Sequence, residues 1–126
     1  MILFYSLFVL LVGCGLEAKT LSEFYEDDIE KVDKIVIFDG STGYRKTLEN
    51  QDDVKDFLER IKDIDFIPEE NQEDRSGFRY SITFYENGKQ TFSCTLNQIG
   101  KHYYYTEPDM FGIVDEFYKT IPIQEE

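Results

Sequence analysis

Three side chains in this sequence have the chemistry of a nucleophile, a ligand or a base. Cys14 closes an apolar run, Cys94 sits in an alternating apolar stretch, and His102 is the single histidine of the chain. Nucleophilic catalysis by Ser or Cys needs a base within hydrogen-bond reach, and the sequence pairs no nucleophile with His102. Zinc needs several His or Cys ligands, which the composition lacks. The expectation is a chain without catalytic residues, metal or cofactor.

Carboxylates are the other source of chemistry. Asp27-Asp28, Asp52-Asp53 and Glu69-Glu70 each have the form of a glycosidase pair, but none follows a buried strand end, and each reads as solvated surface. The loop Glu69 to Asp74 carries four carboxylates, yet it lacks the alternate ligands, turn glycine and distal Glu of a calcium loop. The glycine turn Asp39 to Gly43 lacks the Lys and the glycine spacing of a P-loop. With 26 acidic against 13 basic residues the net charge is −13. Nucleic acid and anionic lipid surfaces are disfavoured, because binding them depends on clustered Lys and Arg releasing counterions. A basic protein partner or loosely held cations suit such a field.

Cys14 has a different use. The run Ile2 to Val12 is shorter than the roughly 20 residues that cross a bilayer, but it has the length of a secretory signal core. It ends in Leu11-Val12-Gly13-Cys14, which resembles the lipobox of bacterial lipoproteins. The resemblance implies a diacylglycerol thioether on Cys14 and cleavage after Gly13. It also implies a mature chain held to the outer face of the cytoplasmic membrane by its lipid. Met1 to Ser6 departs from the usual pattern in carrying no Lys or Arg. Lipidation would consume the Cys14 sulfur and leave Cys94, placed between Phe92 and Leu96, as a free buried thiol rather than a disulfide partner.

The elements behind these residues follow from periodicity. Residues 1–13 read as the lipoprotein signal, 14–31 as an acidic spacer with a short helix capped by Thr20 and Glu23, and 32–122 as one α+β domain. Val32 to Phe38 is a strand ending at Asp39-Gly40, and Tyr44 to Leu48 is a shorter one. Val54, Phe57, Leu58 and Ile61 form a helical stripe over 52–62 behind Asn50, and Met110, Ile113, Val114 and Phe117 form a second. Asp63 to Phe66 adds a short strand. From Phe78 to Thr106 the period is two. There a three-residue Glu86-Asn87-Gly88 turn would pair Ile82 with Phe92 and Tyr80 with Cys94. A second such turn at Gln98-Ile99-Gly100 would put His102 and Tyr104 on the core side. The architecture expected is two-layered, an antiparallel sheet with both amphipathic helices on one face.

The other face of that sheet would expose Arg79 in a row with Thr95 and Tyr103, and Ser81 with Ser93 and Tyr105. Arg79, Tyr85, Tyr103 and Tyr105 are thus the candidate ligand face, since Tyr gives rigid amphipathic contact to sugars or extended peptides. Ordinary cross-strand pairing on a wet surface accounts for the same residues more simply. The signal, the "KIVIFDGSTG" strand-turn and the "ITFYENGK" hairpin look like small lipoproteins of Gram-positive bacteria, a likeness over about residues 32 to 119 that brings no activity with it. The function expected is a non-catalytic binding module anchored through Cys14, and its rival is an envelope hydrolase working through carboxylates near the tyrosines. In the native host, labelled palmitate is expected in the wild-type protein and not in Cys14→Ser. Label retained by the variant, or an intact mass that includes residues 1–13, would remove the anchor.

Overall fold

A computed structural model describes residues 16–126, so Cys14 and the tetrapeptide that resembles a lipobox lie outside the described residues. In chain order the elements are β1 (Lys19–Thr20), α1 (Leu21–Phe24), a 3-10 turn (Ile29–Lys31), β2 (Lys34–Asp39), β3 (Arg45–Leu48) and α2 (Gln51–Ile61). There follow β4 (Asp65–Pro68), β5 (Tyr80–Glu86), β6 (Lys89–Thr95), β7 (Gln98–Ile99), β8 (His102–Glu107) and α3 (Met110–Thr120).

The fold is α+β and its pairing is antiparallel throughout, but there are two four-stranded sheets where one was expected, β1-β4-β8-β7 and β3-β2-β5-β6. The first curls into a half-barrel. β8 does not extend the β5–β6 hairpin. It pairs with β4 on one side, Phe66 opposite Thr106, and with the short β7 on the other, Ile99 opposite His102. The turn of that second hairpin is Gly100-Lys101, so His102 faces solvent while Tyr103 and Tyr104 are buried.

The first hairpin also differs from expectation. Asn87 and Gly88 both have positive φ, 52° and 82°, as a two-residue type I′ loop requires, and Glu86 pairs with Lys89. Such a loop alone would set Phe84 opposite Thr91 and turn the two apolar sets to opposite faces. A bulge corrects this by inserting Thr91, so Phe84 meets Phe92 and Ile82 meets Cys94.

Both helices follow the expected stripes. Asn50 caps α2 by accepting from the Asp52 N–H at 2.8 Å, and Val54, Phe57, Leu58 and Ile61 are all buried. α3 has Asp109 as its cap and buries Met110, Val114, Phe117 and Tyr118. Phe57 and Phe117 join the helices, ring centroids 4.8 Å apart. Beneath them lies a core of Ile35, Ile37, Leu48, Ile82 and Phe84, all fully buried, continuous with Phe66 of the other sheet.

Two boundaries move. The segment read as a spacer is part of the fold, because Leu21, Tyr25 and Ile29 are 0, 5 and 7% exposed within the core. Burial of Leu21 and Ile29 stabilises by about 1.5–3 kcal/mol each. Past residue 122 the chain returns to the edge of β3, where Arg45 and Glu126 exchange backbone hydrogen bonds of 3.2 and 2.9 Å.

Lys46 was unforeseen. It points inward from β3, 8% exposed, and its Nζ donates to the carbonyls of Tyr118 at 2.7 Å and Ile121 at 3.0 Å while lying over the Tyr118 ring. A buried lysine is tolerated here because it satisfies orphan carbonyls at a helix C-terminus, where positive charge is favoured. Lys46→Met leaves those carbonyls unpaired and is expected to lower stability by about 1–3 kcal/mol. Urea denaturation should show a lower midpoint at unchanged slope, and an unchanged midpoint would deny the ammonium any role.

Candidate functional site

The start of β5 is fixed by backbone geometry. Gly40 donates to the Arg79 carbonyl at 2.6 Å, and a Cβ on Gly40 would stand 2.5 Å from the Phe78 carbonyl oxygen. Only glycine allows this approach, and it brings the end of β2 against the residues that open β5.

There Arg79 extends between two carboxylates. Its Nε is 3.7 Å from Asp39 and its Nη2 3.5 Å from Asp115 on α3. Its guanidinium carbon lies 5.2 Å from the Tyr80 ring centroid and 5.3 Å from that of Phe111. Asp39 also accepts from the Ser41 N–H at 2.9 Å and hydroxyl at 2.7 Å. Asp115 accepts the Tyr80 hydroxyl at 2.6 Å and faces the Lys119 ammonium at 3.0 Å. The charges cancel locally, leaving Arg79 a stacked plate rather than a free anion receptor.

Around this clamp opens a cleft of about 490 Å³ lined by Phe78, Arg79, Tyr105 and Phe111, with Glu69 and Asp109 among its polar groups. Phe78, Tyr105 and Phe111 are 44, 47 and 37% exposed, and they are three of the five large hydrophobic side chains left exposed among the described residues. The three rings share one concave surface, each presenting an apolar face to solvent.

Of the four residues of the candidate face, Arg79 and Tyr105 meet here. Tyr85 stands at the far end of β5, about 20 Å along the strand, beneath the Lys34 ammonium at 4.4 Å. Tyr103 is buried, and its hydroxyl accepts from the Arg75 N–H at 2.9 Å while the Arg75 guanidinium covers its ring. With Gln72, whose side chain bonds the Tyr103 backbone at both N–H and carbonyl, it fastens the loop that follows β4. The rows expected beside Arg79 and Ser81 do not form; Ser81 pairs with Thr95 and Thr83 with Ser93. Phe78 and Phe111 were missed as site residues, and the only sequence signal for Phe111 was its place off the apolar stripe of α3.

In the loop Glu69 to Asp74 the order comes from Gln72 and Arg75, and among the described residues its carboxylates join no cluster of three metal-binding side chains. Cys94 is buried and unpaired, and desolvation pushes its thiol up to about 12, so it stays protonated. Comparison with known protein families, with curated proteins and with solved structures finds no match.

The clamp makes stability depend on pH. Burial works to raise Asp39, but the hydrogen bonds from Ser41 and the charge of Arg79 outweigh it and hold its carboxyl below the usual range. The Tyr80 hydroxyl, opposed in part by burial, and the charges of Lys119 and Arg79 do the same for Asp115. Folded values below the unfolded one of about 3.9 mean that this stabilisation is present above pH ~4 and is lost as pH falls through the folded values. Asp39→Asn with Asp115→Asn should therefore lose less stability between pH 5 and pH 3 than wild type. Equal losses in urea titrations would show that the clamp carries no linkage.

Proposed function

We propose that this chain is a lipid-anchored binding module on the outer face of the cytoplasmic membrane, and that it engages a basic polypeptide partner through the aromatic cleft. The observation that carries this reading is the gathering of Phe78, Tyr105 and Phe111, all exposed, beside the carboxylates of Glu69 and Asp109. Aromatic faces and carboxylates together suit a guanidinium or ammonium flanked by apolar carbons. The chain already uses that contact, since Arg79 stacks on Phe111 and Tyr80. Because Asp39 and Asp115 neutralise Arg79, a second cation meets little repulsion there. The net charge of −13 steers basic partners towards the molecule. The Cys14 lipobox supports the anchor.

A hydrolase reading draws on the same two carboxylates near Tyr105. Asp109, however, is exposed and accepts from the Phe111 N–H as the cap of α3, and Glu69 faces Arg75 at 4.0 Å. A general acid needs a site shielded from water, and these carboxylates serve the fold instead.

The test is calorimetric titration of the protein with a synthetic peptide alternating Arg and Phe, against a control alternating Glu and Phe. The basic peptide should bind, more weakly as salt rises. Tyr105→Ala with Phe111→Ala should weaken it at least tenfold, about 1.4 kcal/mol. Undiminished binding by the double variant, or equal binding of the acidic control, would reject the cleft.

A further inference from the structure

The fold changes what a lipid on Cys14 does. If residues 14–31 were a spacer, about 18 extended residues, some 60 Å, would separate the lipid from the domain. The chain is folded from β1 onward instead. Lys19 pairs with Phe66 and Thr20 with Asp65. Thr20 and Glu23 complete a reciprocal cap, and the backbones of Leu21 and Ser22 donate to the carbonyls of Ile64 and Lys62 at 3.2 and 3.0 Å. Phe24 packs edge-on against Phe66 and Tyr104, and Tyr25 against Phe84 and Phe92.

Resting on the anchored reading, we infer that the domain is seated on the lipid headgroups, held there by a tether of five residues from Cys14 to β1. At about 3.5 Å per residue that tether reaches about 18 Å, roughly the radius of a domain of this size. Its near end carries Leu16, 40% exposed, beside the exposed Glu17, and β1 opens on Lys19, whose ammonium covers the Phe24 ring; Leu16 and the Lys19 stem suit the interface between lipid and water. The occupant of the β1 side of the molecule is therefore the bilayer surface. The partner of the cleft is one that comes to the membrane, since no part of the domain can stand farther than about 50 Å from it.

The full acylated chain in phosphatidylcholine vesicles tests this. Asp63, next to the Lys62 carbonyl that holds Ser22 and itself 79% exposed at its side chain, is changed to Cys and labelled with bimane, Cys94 being buried. Headgroup-nitroxide lipids should quench the label strongly, and a 20-residue Gly/Ser insertion between Gly15 and Leu16, adding about 25 Å of flexible reach, should cut the quenching at least twofold. Quenching without the insertion as weak as with it, in protein that floats with the vesicles, would overturn the seating and leave the anchor standing. Protein that fails to float would overturn the anchor and the seating with it.

Discussion

The two-residue loop Asn87-Gly88 sets the constraint from which much of the molecule follows. It fixes strand pairing at a register that would put Phe84 and Phe92 on opposite faces, and one inserted residue restores them to the same core. The inserted residue is Thr91. Its hydroxyl lies within reach of both the Phe84 carbonyl, at 3.2 Å, and the oxygen of Tyr25, whose own proton goes to Glu86. Burial and the Glu86 carboxylate push the Tyr25 hydroxyl up to about 12, so it remains a donor at any physiological pH. Tyr25 in turn brings residues 19–31 into the core. A local correction of register thus helps to fasten the N-terminal segment, which β4 and the carbonyls of Ile64 and Lys62 also hold.

At the other end of β5 the organising contact is electrostatic. Arg79 ties the end of β2, through Asp39, to α3, through Asp115, and both carboxylates have further donors of their own. An exposed ion pair stabilises little, but here one carboxylate is nearly buried and the guanidinium is stacked, so the arrangement is a network and not an isolated pair. The plate lies on the Tyr80 and Phe111 rings, while Phe78 packs against Phe38 beside Gly40.

Legibility divides along physical lines. The stripe Val54, Phe57, Leu58, Ile61, the Asn50 cap, the Thr20–Glu23 capping box and the alternation through Phe84 were all readable, because each is a local pattern with one good solution. The bulge was not, since an odd turn and an even turn with one extra residue give the same facing of side chains. Nor was the departure of β8 to a second sheet, which depends on β4 arriving from beyond α2. The short helix behind Thr20 was visible, but the surrounding acids argued for a spacer and hid the burial of Leu21, Tyr25 and Ile29. Lys46 had no signal, because its burial is set by carbonyls more than 70 residues away. Of the candidate face, Arg79 and Tyr105 stand together at one cleft, whereas Tyr103 is drawn inward by Arg75, a partner 28 residues away.

The acidity of the chain bears on what the cleft can do. A carboxylate acts as a catalyst when burial or a like charge holds it poised, and it acts as a binding group when it is left to a field. In this fold the well-placed carboxylates have structural duties. Asp28, Asp109 and Glu23 cap helical turns, while Asp39 and Asp115 hold Arg79, which lowers rather than raises their affinity for protons. The acids that remain are solvated and act beyond contact range only within a Debye length, about 8 Å at physiological salt. Such a field selects the sign of a partner and speeds its arrival without holding it, and holding falls to the aromatic surface. A cleft of exposed rings within an acidic shell is therefore an argument for association with a basic chain, and its strength should rest on Phe78, Tyr105 and Phe111 more than on any charge.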